Sequence, residues 1–315
     1  MKAIVYQQFG GTDVLQLADQ ARPVIGPDQV LVRVKAFSIN PMDWKIRQGK
    51  MKLMSGSKFP KYTGADFSGT IEKTGPAVTG LRKGDAVFGV VKNLMKQGVS
   101  AEYIAVPASL VWHKPAEITF SQAASIPVVG TAALAALQKM GTIHPGAEIL
   151  VNGATGGFGM FLIQLLKQSG ARITAVTSTH GVRFARSWGA HSVIDYTLEN
   201  VLDRKSAYDI VIDLSGKMGY KTARQIMKEK AIFLNPTPKP IEIPGALIKN
   251  LFTSKKHIVI LSNPSTKAIE QLLDAVNQGL QIEINKTFPF ESFNEAYQYA
   301  ERGGYVGKVT IEFNW

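Results

Sequence analysis

Asn152-Gly153-Ala154-Thr155-Gly156-Gly157-Phe158-Gly159 decides the fold: from Gly153 to Gly159 only Phe158 carries a side chain larger than that of threonine. The residues before it, Glu148-Ile149-Leu150-Val151, are short, apolar and β-prone. Those after it, Met160 to Gln168, are mostly apolar and free of glycine and proline, with Gly170 placed to cap a helix. The order is therefore strand, turn, helix. Ala154 to Gly159 fits the spacing G-x-G-x-x-G with alanine first. A helix start offers unpaired N–H groups and a positive dipole end, and without Cβ atoms a diphosphate can reach them. A tight turn or close strand-helix packing would also use glycine, so the surroundings must decide.

They favour a dinucleotide. Arg172 to Thr177 reads as a strand, Val182 to Trp188 as a helix and Ser192 to Asp195 as a strand. Tyr208 to Leu214 gives a strand, Tyr220 to Lys228 a helix, and Ala231 to Leu234 and His257 to Leu261 two more strands. Strands alternating with helices predict a parallel, doubly wound sheet. A site for NAD needs a carboxylate about 20 residues beyond the glycines to bind the ribose 2′-hydroxyl. No Asp or Glu occurs between Gly159 and Asp195, whereas Arg172, His180, Arg183 and Arg186 do. Hydroxyls and a guanidinium suit a 2′-phosphate, which a carboxylate would repel. The expectation is NADPH.

The 315 residues suffice for two domains. With 36 basic and 24 acidic residues the net charge is +12. That balance permits nucleic-acid binding but equally attracts a phosphorylated cofactor. The charge is spread, Lys255-Lys256-His257 being its densest cluster, so nucleic acid is the minor alternative. With no cysteine in the chain, disulfides, thiolate catalysis and Cys-based zinc sites are excluded. Met1 to Tyr6 runs straight into a strand-like pattern with no apolar leader. The most apolar stretch, Ile126 to Leu137, is too short to span a bilayer and contains Pro127 and Gly130. A cytoplasmic enzyme without a membrane partner is expected.

Outside the alternating region the texture changes. Val30 to Ala36, Ser68 to Glu72 and the turn Gly84-Asp85 leading into Ala86 to Gly89 read as short strands of a barrel-like unit. After residue 261, Ala268, Ile269, Leu272, Leu273 and Val276 predict an amphipathic helix. Ile282 to Ile284 then reads as a strand, Ser292 to Arg302 as a helix and Lys308 to Phe313 as a closing strand. A β-rich unit built from both ends of the chain, with the dinucleotide unit inserted, is the simplest division.

Nearly end to end, the chain resembles the medium-chain dehydrogenase/reductase superfamily, and within it the zinc-independent quinone oxidoreductase and alkenal (enone) reductase branch. The resemblance is carried by Ser38 to Gly49 (SINPMDWKIRQG), Gly64 to Gly69 (GADFSG), Lys83-Gly84-Asp85, the glycine turn, Gly189 to Tyr196 (GAHSVIDY) and Gly307-Lys308-Val309. It implies an α/β fold in which a Rossmann doubly wound parallel sheet, residues 122–261, is inserted in a GroES-like β-barrel domain, residues 1–121 and 262–315. Zinc-dependent relatives place a cysteine where this chain has Asn40, and histidine then glutamate where it has Ala65 and Asp66. Asn and Ala cannot replace those ligands. Without a metal to hold a developing alkoxide, the fitting acceptor is already electrophilic, a quinone or an α,β-unsaturated carbonyl. One oriented donor then suffices at the carbonyl oxygen, a contribution of roughly 3–4 kcal/mol.

By the same resemblance Asn40 and Lys45 face the nicotinamide as donor candidates. Lys45, a tyrosine in many relatives, could serve as a polar gate rather than a proton donor, and solvent could supply the proton. The cofactor would be lined by Asn40, Thr131, Ala154, Thr155, Gly156, Gly157 and Phe158. Ser178, Thr179, Arg183 and Tyr196 would surround the adenosine phosphate, with Asn235, Leu261 and Asn263 nearby and Lys308 closing the site. Acceptor-pocket walls would come from loops 51–61, 92–99 and 239–256. Relatives are often dimers, which leaves a homodimer open. An NADPH-binding redox sensor, or a weak nucleic-acid binder without turnover, stands as the alternative because fold does not fix function.

Overall fold

The computed structural model describes residues 1–236, 245–246, 250–260 and 264–314. Its nucleotide-binding half is a six-stranded sheet in the order Ser192–Asp195, Arg172–Thr177, Glu148–Asn152, Tyr208–Asp213, Met227–Asn235, Lys256–Val259. Every pairing in it is parallel. Ile149, Leu150 and Val151 are fully buried, because helices cover both faces of the sheet; hence the unbroken apolar run. From this first strand the chain winds out to one side and then the other. The crevice lies at the carboxyl end of the strand where the winding reverses, and there the glycine turn follows.

Two predicted elements differ. The helix expected over Tyr220–Lys228 stops at Ala223, and from Met227 the chain is already a strand. Met227 pairs with Tyr208, and Lys228 Nζ binds Asp209 Oδ2 at 2.7 Å across the ladder; those long-range contacts override local helix propensity. The strand expected over Ile282–Ile284 begins only at Ile284. Residues 281 and 282 act as a tether instead: Gln164 exchanges two hydrogen bonds with the Gln281 backbone, and Gln122 donates to the Ile282 carbonyl.

The other half has a seven-stranded sheet that joins Ile284–Pro289 and Lys308–Glu312 to Gln29–Ser38, Asp66–Thr74, Ala86–Val90, Tyr103–Pro107 and Val111–His113. A three-stranded sheet of Gln16–Asp19, Lys2–Tyr6 and Lys61–Tyr62 completes it. The helix Thr266–Asn277 sits with the nucleotide-binding core. A Cβ on Gly130 would lie 2.8 Å from Leu272 Cδ1 and 3.5 Å from the Phe161 ring, so helix Pro127–Met140 and helix Thr266–Asn277 meet almost backbone to side chain.

Candidate cofactor and active site

The glycine turn is shaped by sterics at nearly every position. Gly153 has φ +78°, a conformation that favours glycine. A Cβ on Gly159 would lie 2.2 Å from the carbonyl oxygen of Ala154, so the helix can rest on the strand end only with glycine there. That helix runs Gly157–Leu166 and no side chain caps it. Its first internal bond runs from Met160 N–H to the Gly156 carbonyl, at 2.9 Å. The N–H groups of Gly157, Phe158 and Gly159 thus lack a helical acceptor. Above Gly156 there is space: the nearest atom to a Cβ there is the Gly153 oxygen, 3.7 Å away. Open amides beneath a void fit a diphosphate.

The barrel supplies the other wall. Gly307 N–H donates to the Thr155 carbonyl at 2.8 Å, and Gly156 and Gly307 form a parallel bridge. Lys308 follows immediately and is buried. Its Nζ donates to the Ile39 carbonyl at 2.9 Å and to Asn40 Oδ1 at 2.7 Å. An ammonium group therefore stands against Asn40. Among the described residues no group of three or more His, Cys, Asp or Glu is placed to hold a metal.

Asn40 starts helix Pro41–Arg47, with its own N–H donating to Asp43 Oδ2 at 2.7 Å. Its Nδ2 donates to Asp66 Oδ2 at 2.9 Å, so one of the two amide hydrogens offered to an acceptor is already committed. Burial pushes the Asp43 carboxyl up to about 7 and the Asp66 carboxyl up to about 6, and pushes the Lys308 ammonium down to about 8. Lys45, on the same helix, is half-buried, and burial holds its ammonium below the ordinary lysine range. Arg47, fully buried, pairs with Glu301 and lies 5.5 Å from the Tyr297 ring centre, fastening this helix to helix Phe293–Arg302.

At the adenosine end, the hydroxyls of Thr155 and Thr177 share a hydrogen bond. Gly181 fits against them only without a side chain, since a Cβ would lie 2.0 Å from Thr177 Oγ1. Thr179 Oγ1 donates to Asp195 Oδ2 at 2.5 Å, while the N–H and Oγ1 of Thr197 donate to Oδ1. The sequence interval lacks an acid, yet in space one reaches Thr179. Hydrogen bonds from Thr179 and Thr197 hold the Asp195 carboxyl below its ordinary value. Arg183 is exposed, its guanidinium 4.6 Å from the Phe184 ring centre. A cleft of about 980 Å³ is lined by Thr179, His180, Arg183, Arg186, Tyr299 and Tyr305, among others.

The remaining expected residues are placed as follows. Ala154 and Thr131 are buried, and the Thr131 hydroxyl donates back to the Pro127 carbonyl at 2.6 Å. Phe158 and Ser178 are half-buried. Tyr196, just past the strand Ser192–Asp195, is 54% exposed. Asn235 ends its strand half-buried, with its carbonyl accepting from Ile260 N–H at 3.0 Å. Leu261, Asn263 and half of loop 239–256 lie outside the described residues. From sequence alone Asp43, Asp66, Asp195 and Gly307 stand in the motifs that carry the family resemblance, with no part in the cofactor site assigned to them; the spacing of Asp43 from Asn40, that of a reciprocal helix cap, is a local signal for one of them.

Two family models match the chain, the alcohol dehydrogenase GroES-like domain over residues 26–116 and zinc-binding dehydrogenase over residues 188–311. The chain is 33% identical to 2-methylene-furan-3-one reductase of Solanum lycopersicum and 34% identical to the chloroplastic NADPH-dependent alkenal/one oxidoreductase of Arabidopsis thaliana. Each match covers 99% of this chain and 79% of that protein. Among solved structures, the quinone oxidoreductase from Coxiella burnetii superposes with a TM-score of 0.89 at 30% identity, over 100% of this chain and 99% of that one.

Proposed function

Because the chain belongs to the medium-chain dehydrogenase/reductase superfamily, in the quinone oxidoreductase and alkenal reductase branch that lacks the catalytic zinc ligands, we propose that it is an NADPH-dependent reductase of quinones or α,β-unsaturated carbonyls. The observation that carries this reading is the open helix start at Gly157, roofed by Lys308 and facing the buried cluster of Asn40, Asp43 and Asp66. When bound, NADPH supplies a hydride from its nicotinamide ring.

The chain's own residues bind and orient. The amides of Gly157, Phe158 and Gly159 and the Lys308 ammonium would hold the diphosphate. Arg183, with Ser178, Thr179 and Tyr196, would hold the adenosine phosphate, Asp195 being engaged by its threonines. Thr131, Ala154, Thr155, Asn235, Leu261 and Asn263 would line the rest. Hydride addition to an enone or quinone leaves an enolate or phenolate, and the free Nδ2 hydrogen of Asn40 or the Lys45 ammonium would donate to that oxygen. Lys45, half desolvated, could also release a proton more readily than an exposed lysine.

A cytoplasmic location is part of the same reading; among the described residues no helix is long and apolar enough to cross a membrane. The test is to mix purified protein with NADPH and a panel of small quinones and enals and follow NADPH absorbance. Acceptor-dependent oxidation supports the reading. NADPH binding with no oxidation above background for any acceptor would favour the redox-sensor alternative, and a steeply salt-sensitive affinity for RNA or DNA the nucleic-acid one.

A further inference from the structure

We propose that Asp66 is the positioning residue of the cofactor site: by fixing which way the Asn40 amide faces, it holds Lys308 across the glycine turn, and it ties the barrel to the nucleotide-binding half in the same stroke. The inference rests on the reading of the Gly157 turn as an NADPH site. Asp66 is fully buried on strand Asp66–Thr74. Its Oδ1 accepts from Val128 N–H at 3.0 Å, at the start of the helix that carries Thr131. Its Oδ2 accepts from Ser38 Oγ at 3.1 Å and from Asn40 Nδ2 at 2.9 Å. One carboxylate thus collects donors from both halves of the molecule.

The polarity of the chain of contacts leaves one arrangement. An ammonium only donates and a carboxylate only accepts, so an amide caught between them must turn its NH2 to Asp66 and its oxygen to Lys308. With Oδ1 so turned, Lys308 Nζ is held at 2.7 Å, and its stem is drawn over Gly157, where a Cβ would meet Lys308 Cδ at 2.4 Å. Replace the carboxylate by an amide and the order fails. The oxygen of the new amide takes Val128 N–H, its NH2 faces Asn40, and Asn40 must then flip and confront Lys308 donor to donor. Lys308 loses the partner that places it beside the diphosphate.

The experiment is a swap of the two side chains. Asp66→Asn should weaken NADPH binding about tenfold or more, the size of one lost charge-assisted bond. The double variant Asp66→Asn with Asn40→Asp restores the donor-acceptor matches among positions 40, 66 and 308 at unchanged net charge, with Ser38 Oγ turning to accept instead of donate, and should regain the stability that Asp66→Asn loses. Thermal unfolding midpoints of the cofactor-free proteins should follow the same order, down in Asp66→Asn and back in the swap. Should Asp66→Asn fail to fold, the swap still decides: a swap that also fails to fold, or that unfolds well below the wild type, overturns the inference, as does a folded Asp66→Asn protein of wild-type affinity. Wild-type protein that binds no NADPH overturns the reading of the site and the cofactor half of this inference. The coupling of Asp66 to Asn40 is then judged by the unfolding midpoints alone.

Discussion

Lys308 crosses Gly157 with room beneath it for a hydrogen atom and little more, since a Cβ at position 157 would lie 2.4 Å from Lys308 Cδ and 3.0 Å from Cγ. The lysine cannot simply swing aside, because its Nζ is held by both Ile39 and Asn40. A residue of the barrel and a residue of the nucleotide-binding turn therefore define one wall together.

Gly157→Ala should push the lysine stem off the turn and weaken NADPH binding about tenfold, near 1.4 kcal/mol. The unfolding midpoint should fall as well, because moving the stem takes Nζ from its buried partners Ile39 and Asn40. A fluorescence titration with NADPH reads this directly, and an unchanged affinity would mean that the stem does not shape the cradle.

Arg183→Ala tests which group reads the adenosine end. The guanidinium is exposed and rests on Phe184, so its loss should leave stability intact. The KM for NADPH should rise about tenfold while that for NADH stays level, the signature of a lost phosphate contact. Equal rises for both cofactors would point to packing instead.

Lys45→Met separates a proton donor from a gate. A donor predicts a lower kcat with the basic limb of the pH profile gone, whereas a gate predicts a higher acceptor KM with kcat and the profile kept. The KM for NADPH should not change in either case.

Glu301→Ala should destabilise the protein by about 3–5 kcal/mol, the range for a buried ion left without its partner. Arg47 is fully buried, Gln48 also donates to Glu301 at 3.0 Å, and the pair secures the helix that begins at Asn40. Urea unfolding measures it; a change below about 1 kcal/mol would put Arg47 in contact with water.

The buried cluster sets a pH dependence whose sign can be worked out. Asp66 and Asp43 hold their protons in the folded state up to about 6 and 7, well above the unfolded value near 4. Their contribution to stability is full below about pH 4 and is lost as pH rises through 6 to 7. Lys308, depressed to about 8, acts oppositely: its contribution is present above about pH 10 and is lost as pH falls through 8. Unfolding midpoints should therefore pass through a shallow minimum between about pH 7 and 8. Asp66→Asn should flatten the acid side, and midpoints that climb steadily from pH 5 to 7 would contradict the assignment.

Much of the nucleotide-binding half was legible because its signals are local. Apolar runs mark the strands Glu148–Asn152 and Arg172–Thr177, and glycines mark the turn between them, within a few residues of each other. The sequence picks out Asn40 and Lys308 as single positions, but not the reason they are brought together. That reason is Asp66, distant from both in sequence and adjacent only after the barrel closes. Asp195 escaped for a related cause, since it reaches Thr179 from the neighbouring strand. Helix Tyr220–Lys228 was overestimated because pairing to Tyr208 outweighs propensity.

The strand Lys308–Glu312 has a consequence for biosynthesis. It inserts between Ile284–Pro289 and Gln29–Ser38, and it brings with it the lysine that roofs a turn made far earlier in translation. The turn at Gly157 therefore gains its lysine wall only once this late strand has threaded home.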